Sequence, residues 1–231
     1  MVKKKFCIIG LGHFGLNLAL RLAEAGAEVL AVDNHQDKID LVSEKVTHAV
    51  CMDSTDIRAL RTLGIADMDL VVVAIGEGFE SSILTTALVQ ELGAKKIFNR
   101  VTSPVHERLL KLLNVDELLV PEAEAAVHLA RRIMMPGLLE VFEIYKDYCI
   151  FEIEAPKAFV SKTLLELNLR LKFSMNLVTV KRIIKKRGLL TLGEREEIEV
   201  TGVPSPDFKI LDKDILVLFG HEKDMRTLLE S

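Results

Sequence analysis

Cysteine and paired histidines are scarce in this sequence. Cys7, Cys51 and Cys149 are the only cysteines, and each lies in an apolar, strand-like stretch far from the others. An odd number of widely spaced cysteines predicts buried, reduced thiols and argues against a disulfide framework. The six histidines form no H-x-x-x-H pair, which disfavours a zinc site. Neither disulfides nor zinc are therefore expected to hold this fold together.

Long apolar runs and a large surplus of one charge are also absent. No window approaches the roughly 18 uninterrupted apolar residues of a membrane span. The apolar run behind the first lysines is too short for a signal peptide. The net charge is −4, so nothing draws the chain as a whole towards nucleic acid. We expect a cytoplasmic protein that has no nucleic acid as a partner.

The apolar material that is present suffices for two modest cores. Hydrophobic residues make up 49% of the 231 residues. The pattern of the chain changes near Pro136, so we predict a nucleotide-binding domain over 1–136 and a smaller domain over 137–231.

A glycine motif dominates the first domain. The short apolar run Phe6–Ile9 leads into a G-x-G-x-x-G turn formed by Gly10, Gly12 and Gly15, and a helical pattern follows. In such a turn the first glycine permits the tight bend, the second leaves room for a phosphate, and the third lets the helix approach the strand. The start of the helix offers free N–H groups to an anion. The motif therefore predicts a phosphate-binding turn.

An acid follows the second predicted strand. Glu28–Val32 leads into Asp33, about 20 residues beyond the turn, where a carboxylate can accept both ribose hydroxyls. Asn34 comes next and no arginine lies beside it, which favours a free 2′-hydroxyl over a 2′-phosphate. The turn and the acid together predict an adenosine-containing ligand.

Strands and helices keep alternating as far as Val120. Six strands separated by helices predict a doubly wound parallel sheet of the α/β class, in which Asp69–Ile75 is a strand covered on both faces. Ser54 or Thr55 is the predicted N-cap of the helix that stops at Gly64. Ligands of such sheets lie beyond the carboxyl ends of the strands. The residues expected to form the site are Gly10–Gly15, Asp33, Asp53, Ser54, Ile75, Gly76 and Arg100.

The helix that begins at Pro121 carries a stripe of small and apolar residues. Such a stripe can pack on the chain's own sheet or against a second subunit, and periodicity does not decide between the two. The residues of this stripe are Ala123, Ala126, Val127, Ala130, Ile133 and Met134.

Beyond this helix the sequence predicts a small α+β domain. Glu140–Glu154 alternates in strand fashion, Thr163–Leu169 is a predicted short helix, and Asn176–Ile184 is a strand followed by a turn at Gly188. A basic cluster at this turn is typical of a solvated hairpin tip, although anion binding or docking to an acidic protein is also possible. The cluster consists of Lys181, Arg182, Lys185, Lys186 and Arg187.

The sequence does not provide the groups that a nicotinamide-dependent enzyme needs for proton transfer. Tyr145 and Tyr148 are the only tyrosines, and neither is followed four residues later by lysine. We therefore predict a nucleotide sensor and not an enzyme. A soluble NAD(H)-dependent oxidoreductase is the alternative. A redox-sensing transcription factor is disfavoured because no helix-turn-helix pattern is present.

The whole chain resembles the cytoplasmic gating subunits of bacterial Ktr and Trk potassium-uptake systems, which are built on RCK (regulator of potassium conductance) domains. The resemblance rests on seven stretches. They are IIGLGHFG (8–15), LAVD (30–33), THAVCMDSTD (47–56), LGI (63–65), VVVAIG (71–76), the pair Pro121-Glu122, and LVLFGHEKD (216–224).

The resemblance implies a Rossmann-like RCK N-terminal domain and an RCK C-terminal domain. It also implies ATP, ADP or NAD(H) as ligand, and homodimers that assemble into an octameric ring. The ring would lie on the inner face of the membrane, bound to a potassium-translocating subunit.

The resemblance further implies roles for individual residues. The glycine turn would hold the phosphates, Asp33 the ribose, and Asp53 and Ser54 the adenine. His13 stands where related subunits usually have arginine, so the preferred nucleotide is left open. Glu122 matches an acid that in some members holds a cation at the subunit interface, although it can equally be a first-turn acid that complements the helix dipole. The full nucleotide set is Gly10, Gly12, His13, Phe14, Gly15, Asp33, Asn34, Asp53, Ser54, Ile75, Gly76, Glu77, Arg100 and His106.

The second domain resembles a lobe that in some Gram-positive members binds cyclic di-AMP between two subunits. Arg170 and Asn176 fall at positions where such members contact that ligand. The residues around them, Leu171 and Met175, are ordinary core types.

Overall fold

The structure is a computed structural model that describes residues 3–187 and 194–230. It divides into two compact units, Met1–Ala123 and Glu124–Ser231. The predicted boundary, at residue 136, lies further along the chain. The difference arises because the helix that begins at Pro121 is tied to the second unit by ion pairs, in which Arg131 contacts Glu143 and Glu222.

The first unit is built on a six-stranded parallel sheet with the strand order β3-β2-β1-β4-β5-β6. The predicted doubly wound α/β class is thereby confirmed. The strands are β1 Lys5–Ile9, β2 Glu28–Asp33, β3 His48–Cys51, β4 Leu70–Val73, β5 Ile97–Arg100 and β6 Glu117–Leu119. The helices are α1 His13–Glu24, α2 Gln36–Asp40, α3 Ile57–Leu60, α4 Phe79–Glu91 and α5 Pro104–Leu112.

Both faces of this sheet are buried. In β1, Cys7 and Ile9 belong to one apolar cluster, whereas Ile8 between them belongs to the cluster on the opposite face. Val71 and Val73 of β4 are separated from Val72 in the same way. Since successive side chains of a strand point to opposite faces, a strand covered on both sides needs an unbroken apolar run.

Cys51 does not match the prediction of three buried thiols. Cys7 and Cys149 are buried, but Cys51 is exposed, and all three cysteines are free. The reason is its position, because Cys51 is the last residue of β3, which forms an edge of the sheet.

The N-cap of α3 also differs from the prediction. Asp56 caps this helix by accepting a hydrogen bond from the Arg58 backbone N–H at 2.9 Å. The hydroxyl of Thr55 instead bonds Asp53, and that of Ser54 bonds Thr85.

The second unit contains an antiparallel sheet with the order β10-β9-β11-β8-β7. Its core surrounds Phe151, Met175, Leu218 and Met225. The strands are β7 Leu138–Tyr145, β8 Tyr148–Glu154, β9 Asn176–Arg187, β10 Glu194–Val200 and β11 Ile215–His221. The helices are α6 Pro121–Met134, whose first residues belong to the first unit, α7 Leu164–Leu167, α8 Leu169–Phe173 and α9 Glu222–Leu229.

Two of the five basic residues expected at a solvated hairpin tip are held in ion pairs instead. Lys181 contacts Glu152, and Arg182 makes a two-pronged contact with the buried Asp214. The side chains of Lys185, Lys186 and Arg187, and the predicted turn at Gly188, lie outside the described residues. No helix in the described parts of the chain is long and apolar enough to cross a membrane.

Candidate functional site

A cavity of about 750 Å³ opens at the carboxyl ends of the parallel strands in the first unit. The strands end at one level, because Ile9 of β1 pairs with Val32 of β2 and Val73 of β4, and Val73 pairs with Asn99 of β5. The cavity lies where the strand order reverses between β1 and β4, which is where such sheets bind ligands. The predicted residues that line it are Gly10, Gly12, His13, Asp33, Asn34, Asp53, Ser54, Ile75, Gly76, Glu77 and Arg100.

The glycine turn packs as its sequence predicts. Gly10 has a φ of +95°, and a Cβ there would lie 2.9 Å from the Ile75 nitrogen. A Cβ on Gly15 would lie 1.9 Å from the Gly10 carbonyl oxygen, so only glycine allows α1 this close to the strand. Beside Gly12 no described atom lies within 4 Å of the added Cβ. The space next to Gly12 is therefore open to a ligand.

The start of α1 faces this space with its backbone groups. Gly12 is the residue before the first turn, and among the described residues no side chain caps this helix end. The first N–H groups of a helix have no partner within it, and they carry the positive end of the helix dipole. His13, the first helical residue, is exposed and lines the cavity. This corner is suited to an anion.

Asp33 lies beside the glycine turn and is held by four donors. It accepts hydrogen bonds from the backbone N–H groups of Leu11 at 2.6 Å and His35 at 2.9 Å. His35 Nδ1 lies 3.2 Å away and Lys38 Nζ 3.5 Å away. Burial by itself raises the pKa of the Asp33 carboxyl, but these bonds and the Lys38 charge together bring that pKa below its ordinary value. Asp33 is therefore ionised at neutral pH.

Asp53 and Ser54 form the edge of the cavity beyond β3. Asp53 accepts hydrogen bonds from the Thr55 hydroxyl at 2.7 Å and the Thr55 backbone N–H at 2.8 Å, and these bonds lower the pKa of Asp53. The Ser54 hydroxyl lies 2.9 Å from that of Thr85 on α4. Asp53 is exposed whereas Ser54 is nearly buried, so the carboxylate is the group that a ligand meets first.

Arg100 links the cavity to the start of α6. Its guanidinium packs on Gly76, where an added Cβ would lie 2.4 Å from Nη1. Nη2 donates to the Glu122 carboxylate, while the buried Nε has no partner among the described residues. The pKa of Glu122 is lowered by its own backbone N–H and by Arg100. Any anion that reaches Arg100 therefore competes with Glu122.

Three predicted residues do not line the cavity. Gly15 lies where α1 packs closely against the strand, and Phe14 packs against one of the apolar clusters of the sheet. His106 is fully buried, which corrects the expectation that it faces phosphate. Its Nδ1 accepts a hydrogen bond from the Thr102 backbone N–H at 3.3 Å, and burial lowers its pKa. His106 thus lies in the interior of the first unit, where its Nε2 has no hydrogen-bond partner among the described residues.

Sequence reasoning missed several polar residues of the cavity. His35, Lys38, Thr55 and Ser81 all line it. His35 and Lys38 follow Asp33 closely in the chain, so the start of a helix directly behind the acid is the signal that could have identified them.

A second cleft, of about 460 Å³, lies in the second unit. Both Arg170 and Asn176 line it, and Arg170 Nε donates to Asn176 Oδ1 at 2.8 Å. Most of the remaining lining is apolar, from leucines of α7 and α8 and from Pro204 and Pro206.

The described residues contain no cluster of three or more His, Cys, Asp and Glu side chains that could hold a metal ion. Glu122 is paired with Arg100. The donor set of this chain alone does not fit a cation site at Glu122.

Several known proteins are similar to this chain. Residues 6–121 match the TrkA-N domain. Over 97% of its length the chain is 35% identical to the Ktr system potassium uptake protein C of Bacillus subtilis, of which it covers 95%. It is 32% identical to the Ktr system potassium uptake protein A of the same organism, with coverage of 96% of this chain and 94% of that protein.

Among solved structures the chain is similar to the GsuK RCK domain, with a TM-score of 0.61 at 19% identity over 99% of this chain and 47% of that one. It is also similar to a GsuK channel bound to NAD, with a TM-score of 0.59 at 19% identity over 97% of this chain and 38% of that one. The chain thus spans less than half of these structures, and the likeness shows the fold.

Proposed function

The chain belongs to the TrkA-N domain family, together with the Ktr potassium-uptake proteins, and from this membership we propose that it is the nucleotide-sensing regulatory subunit of a membrane potassium transporter. Its relatives over nearly the whole chain are named as parts of potassium-uptake systems. The subunit would act in the cytoplasm, at the inner face of the membrane, by binding its transporter partner.

One observation carries the nucleotide part of the proposal. One cavity is lined by an open glycine at a helix start that no described side chain caps, and by an ionised, buried acid next to that turn. The first suits phosphates and the second suits a ribose. ATP, ADP and NAD(H) all combine these groups, and a GsuK channel of the same fold is described as bound to NAD.

The proposed contacts follow the geometry of the cavity. The glycine turn and α1 would hold phosphates. Asp33 with Asn34 would hold the ribose, and Asp53 with Ser54 the adenine. Ile75, Gly76 and Glu77 would flank the ribose and phosphate groups. Arg100 and His13 would face terminal phosphates, and histidine there is shorter than arginine and only partly charged near neutral pH.

Assembly into homodimers and an octameric ring is the second part of the proposal. The outer sides of α4 and α5 expose large apolar residues, as does α6. They are Phe79, Leu84, Val105 and Leu112 on the first two helices and Val127, Leu129, Ile133 and Met134 on α6. The exposure of the α6 stripe favours the second of its two interpretations, packing against another subunit.

Gating would follow from differential binding. A ligand shifts a ring between two shapes only by the difference of its affinities for them. Nucleotides can therefore open or close a transporter without being consumed, and this regulatory role does not require an enzymatic step.

Potassium flux through vesicles tests the proposal. The chain and its membrane partner are reconstituted, and flux is measured with ATP, ADP, NADH and NAD⁺ in turn. We expect the potassium flux to differ between ATP and ADP, or between NADH and NAD⁺. Identical flux with every nucleotide contradicts the gating function, and steady turnover of nicotinamide with a small substrate would favour an oxidoreductase instead.

The cleft of the second unit is the basis for proposing a second ligand. We propose that it binds cyclic di-AMP, with Arg170 placed to pair with a phosphate and Asn176 to orient it. Calorimetric titration of cyclic di-AMP into the chain should show binding that Arg170→Ala abolishes and Lys172→Ala, an exposed neighbour, retains. Equal binding by all three proteins, or by none, contradicts this site.

A further inference from the structure

The antiparallel sheet of the second unit is apolar on both faces. Its inner face carries Phe151 and Leu218 and packs on the core. Successive side chains of a strand point to opposite faces, so the residues that alternate with these form the outer face. Antiparallel sheets commonly present polar side chains to water on that face. Here the outer face carries six large apolar residues that are 44–65% exposed, namely Phe142, Tyr145, Tyr148, Ile183, Ile198 and Val200.

Aromatic side chains are concentrated on one half of this outer face. Tyr148 stacks on Phe219 with ring centroids 6.1 Å apart, and Tyr145 is its cross-strand partner. These two residues are the only tyrosines of the chain, which has no tryptophan. Tyrosine and phenylalanine are enriched at the centres of protein interfaces. The exposed parts of Phe142 and the two tyrosines amount to roughly 300 Å², and contiguous apolar patches of this size mark interaction sites.

The charged side chains near the middle of the outer face are paired within the chain. Lys181 on β9 contacts Glu152 on β8, and β11 lies between these two strands. At the edge, Glu140 on β7 lies 3.6 Å from His128 Nδ1, and Glu154 is the last residue of β8. A contact about a two-fold axis brings a surface against a copy of itself, so unpaired like charges would oppose it. An apolar centre with paired charges does not meet this obstacle.

We propose that the outer face binds the same face of a second copy of the chain, with the two sheets packed against each other about a two-fold axis. Five strands about 4.8 Å apart and seven residues long span roughly 24 by 24 Å. This size is of the order of the ~800 Å² that each partner contributes to a standard interface. Sheets pack face to face in this way in β-sandwiches. The contact is additional to the surfaces of α4, α5 and α6 proposed above and does not depend on nucleotide sensing.

Opposite charges placed on this face test the proposal in sedimentation of the full chain. The acidic variant combines Phe142→Glu with Ile198→Glu, and the basic variant combines Phe142→Lys with Ile198→Lys. The two positions lie on the two edge strands, so the added charges of both copies meet whichever way the axis runs. We expect each variant alone to form a smaller particle than the wild type. An equimolar mixture should restore the wild-type mass, because unlike charges then face each other.

Leu41→Glu combined with Val203→Glu is the matched control. These residues are 60% and 94% exposed and lie outside this sheet, so the control should keep the wild-type mass. Nucleotide affinity should be unchanged in every variant, which shows that the first unit is folded.

Tyrosine fluorescence provides a second measurement that needs no substitution. Acrylamide should quench the emission of Tyr145 and Tyr148 less in the assembled wild type than after dilution to the dissociated chain. Equal quenching in the two states, or wild-type mass in both charged variants, overturns the inference. Variants that dissociate but are not restored by mixing would show that the face packs on a different surface, which also overturns it. None of these outcomes affects the proposed nucleotide site, which is tested by nucleotide affinity and potassium flux.

Discussion

Gly12 is the residue at which ligand binding and folding can be separated most cleanly. Its φ of −64° suits any L-residue, and no described atom lies within 4 Å of an added Cβ. A side chain there fills only the space proposed for phosphate. Gly10 and Gly15 offer no such test, because a Cβ at either would meet backbone.

We predict that Gly12→Val abolishes nucleotide binding in calorimetry while the melting temperature without ligand changes little. Ala25→Val, at the exposed far end of α1, is the control and should bind normally. Retained affinity in the Gly12 variant would argue against phosphate contact at the turn.

His106 gives a pH dependence of stability. Burial lowers its pKa below the ordinary 6.5, so the folded state binds fewer protons than the unfolded state. The stabilising contribution is complete above pH 6.5 and is lost as the pH falls towards the lowered pKa of the folded protein.

Urea unfolding between about pH 7 and 5 should therefore show a fall in the free energy of unfolding that is shallower in His106→Gln. His48→Gln, which replaces an exposed histidine, should follow the wild type. Parallel slopes for all three proteins would show that His106 does not carry this dependence.

At the scale of elements, the ion pair of Arg182 and Asp214 fixes β9 to the turn before β11. Asp214 is 1% exposed and accepts from Arg182 Nε at 2.7 Å, Arg182 Nη2 at 2.6 Å and the Leu211 backbone N–H at 2.8 Å. Removing the carboxylate leaves a guanidinium and an N–H group without their partner.

We predict that Asp214→Ala lowers the free energy of unfolding by about 3 kcal/mol, measured by urea denaturation. The exposed Asp212→Ala should change it by less than about 0.5 kcal/mol. Equal small losses in the two variants would mean that water replaces the pair at little cost.

Some helices and strands could be predicted from the sequence and others could not. The strands of the first unit are short apolar runs bounded by glycines and acids, because burial on both faces leaves no place for polar residues. α8 and β10 were not predicted. In α8 only Leu169 is buried, and β10 is an edge strand rich in glutamate, so neither has the apolar pattern that identifies an element.

For the whole molecule, ring assembly is the prediction that matters. Leu84 on α4 is 47% exposed and belongs to the apolar surface proposed to join subunits, whereas Val203 is 94% exposed in a loop. We predict an octamer by native mass spectrometry, reduced to smaller species by Leu84→Asp and unchanged by Val203→Asp. A wild-type monomer with and without nucleotide would contradict the ring.

The sequence alone determined the fold class, the glycine turn and the acid that follows it, because these depend on local backbone geometry and on burial of consecutive residues. It also indicated the family through motifs spread over nearly the whole chain. Only the tertiary structure decided which side chains meet at the cavity. The Lys38 ammonium contacts the Asp33 carboxylate, and Arg100 donates a hydrogen bond to Glu122. His106 is buried and does not line the cavity. Periodicity specifies which face of an element is buried, but side-chain contacts between elements depend on how those elements pack.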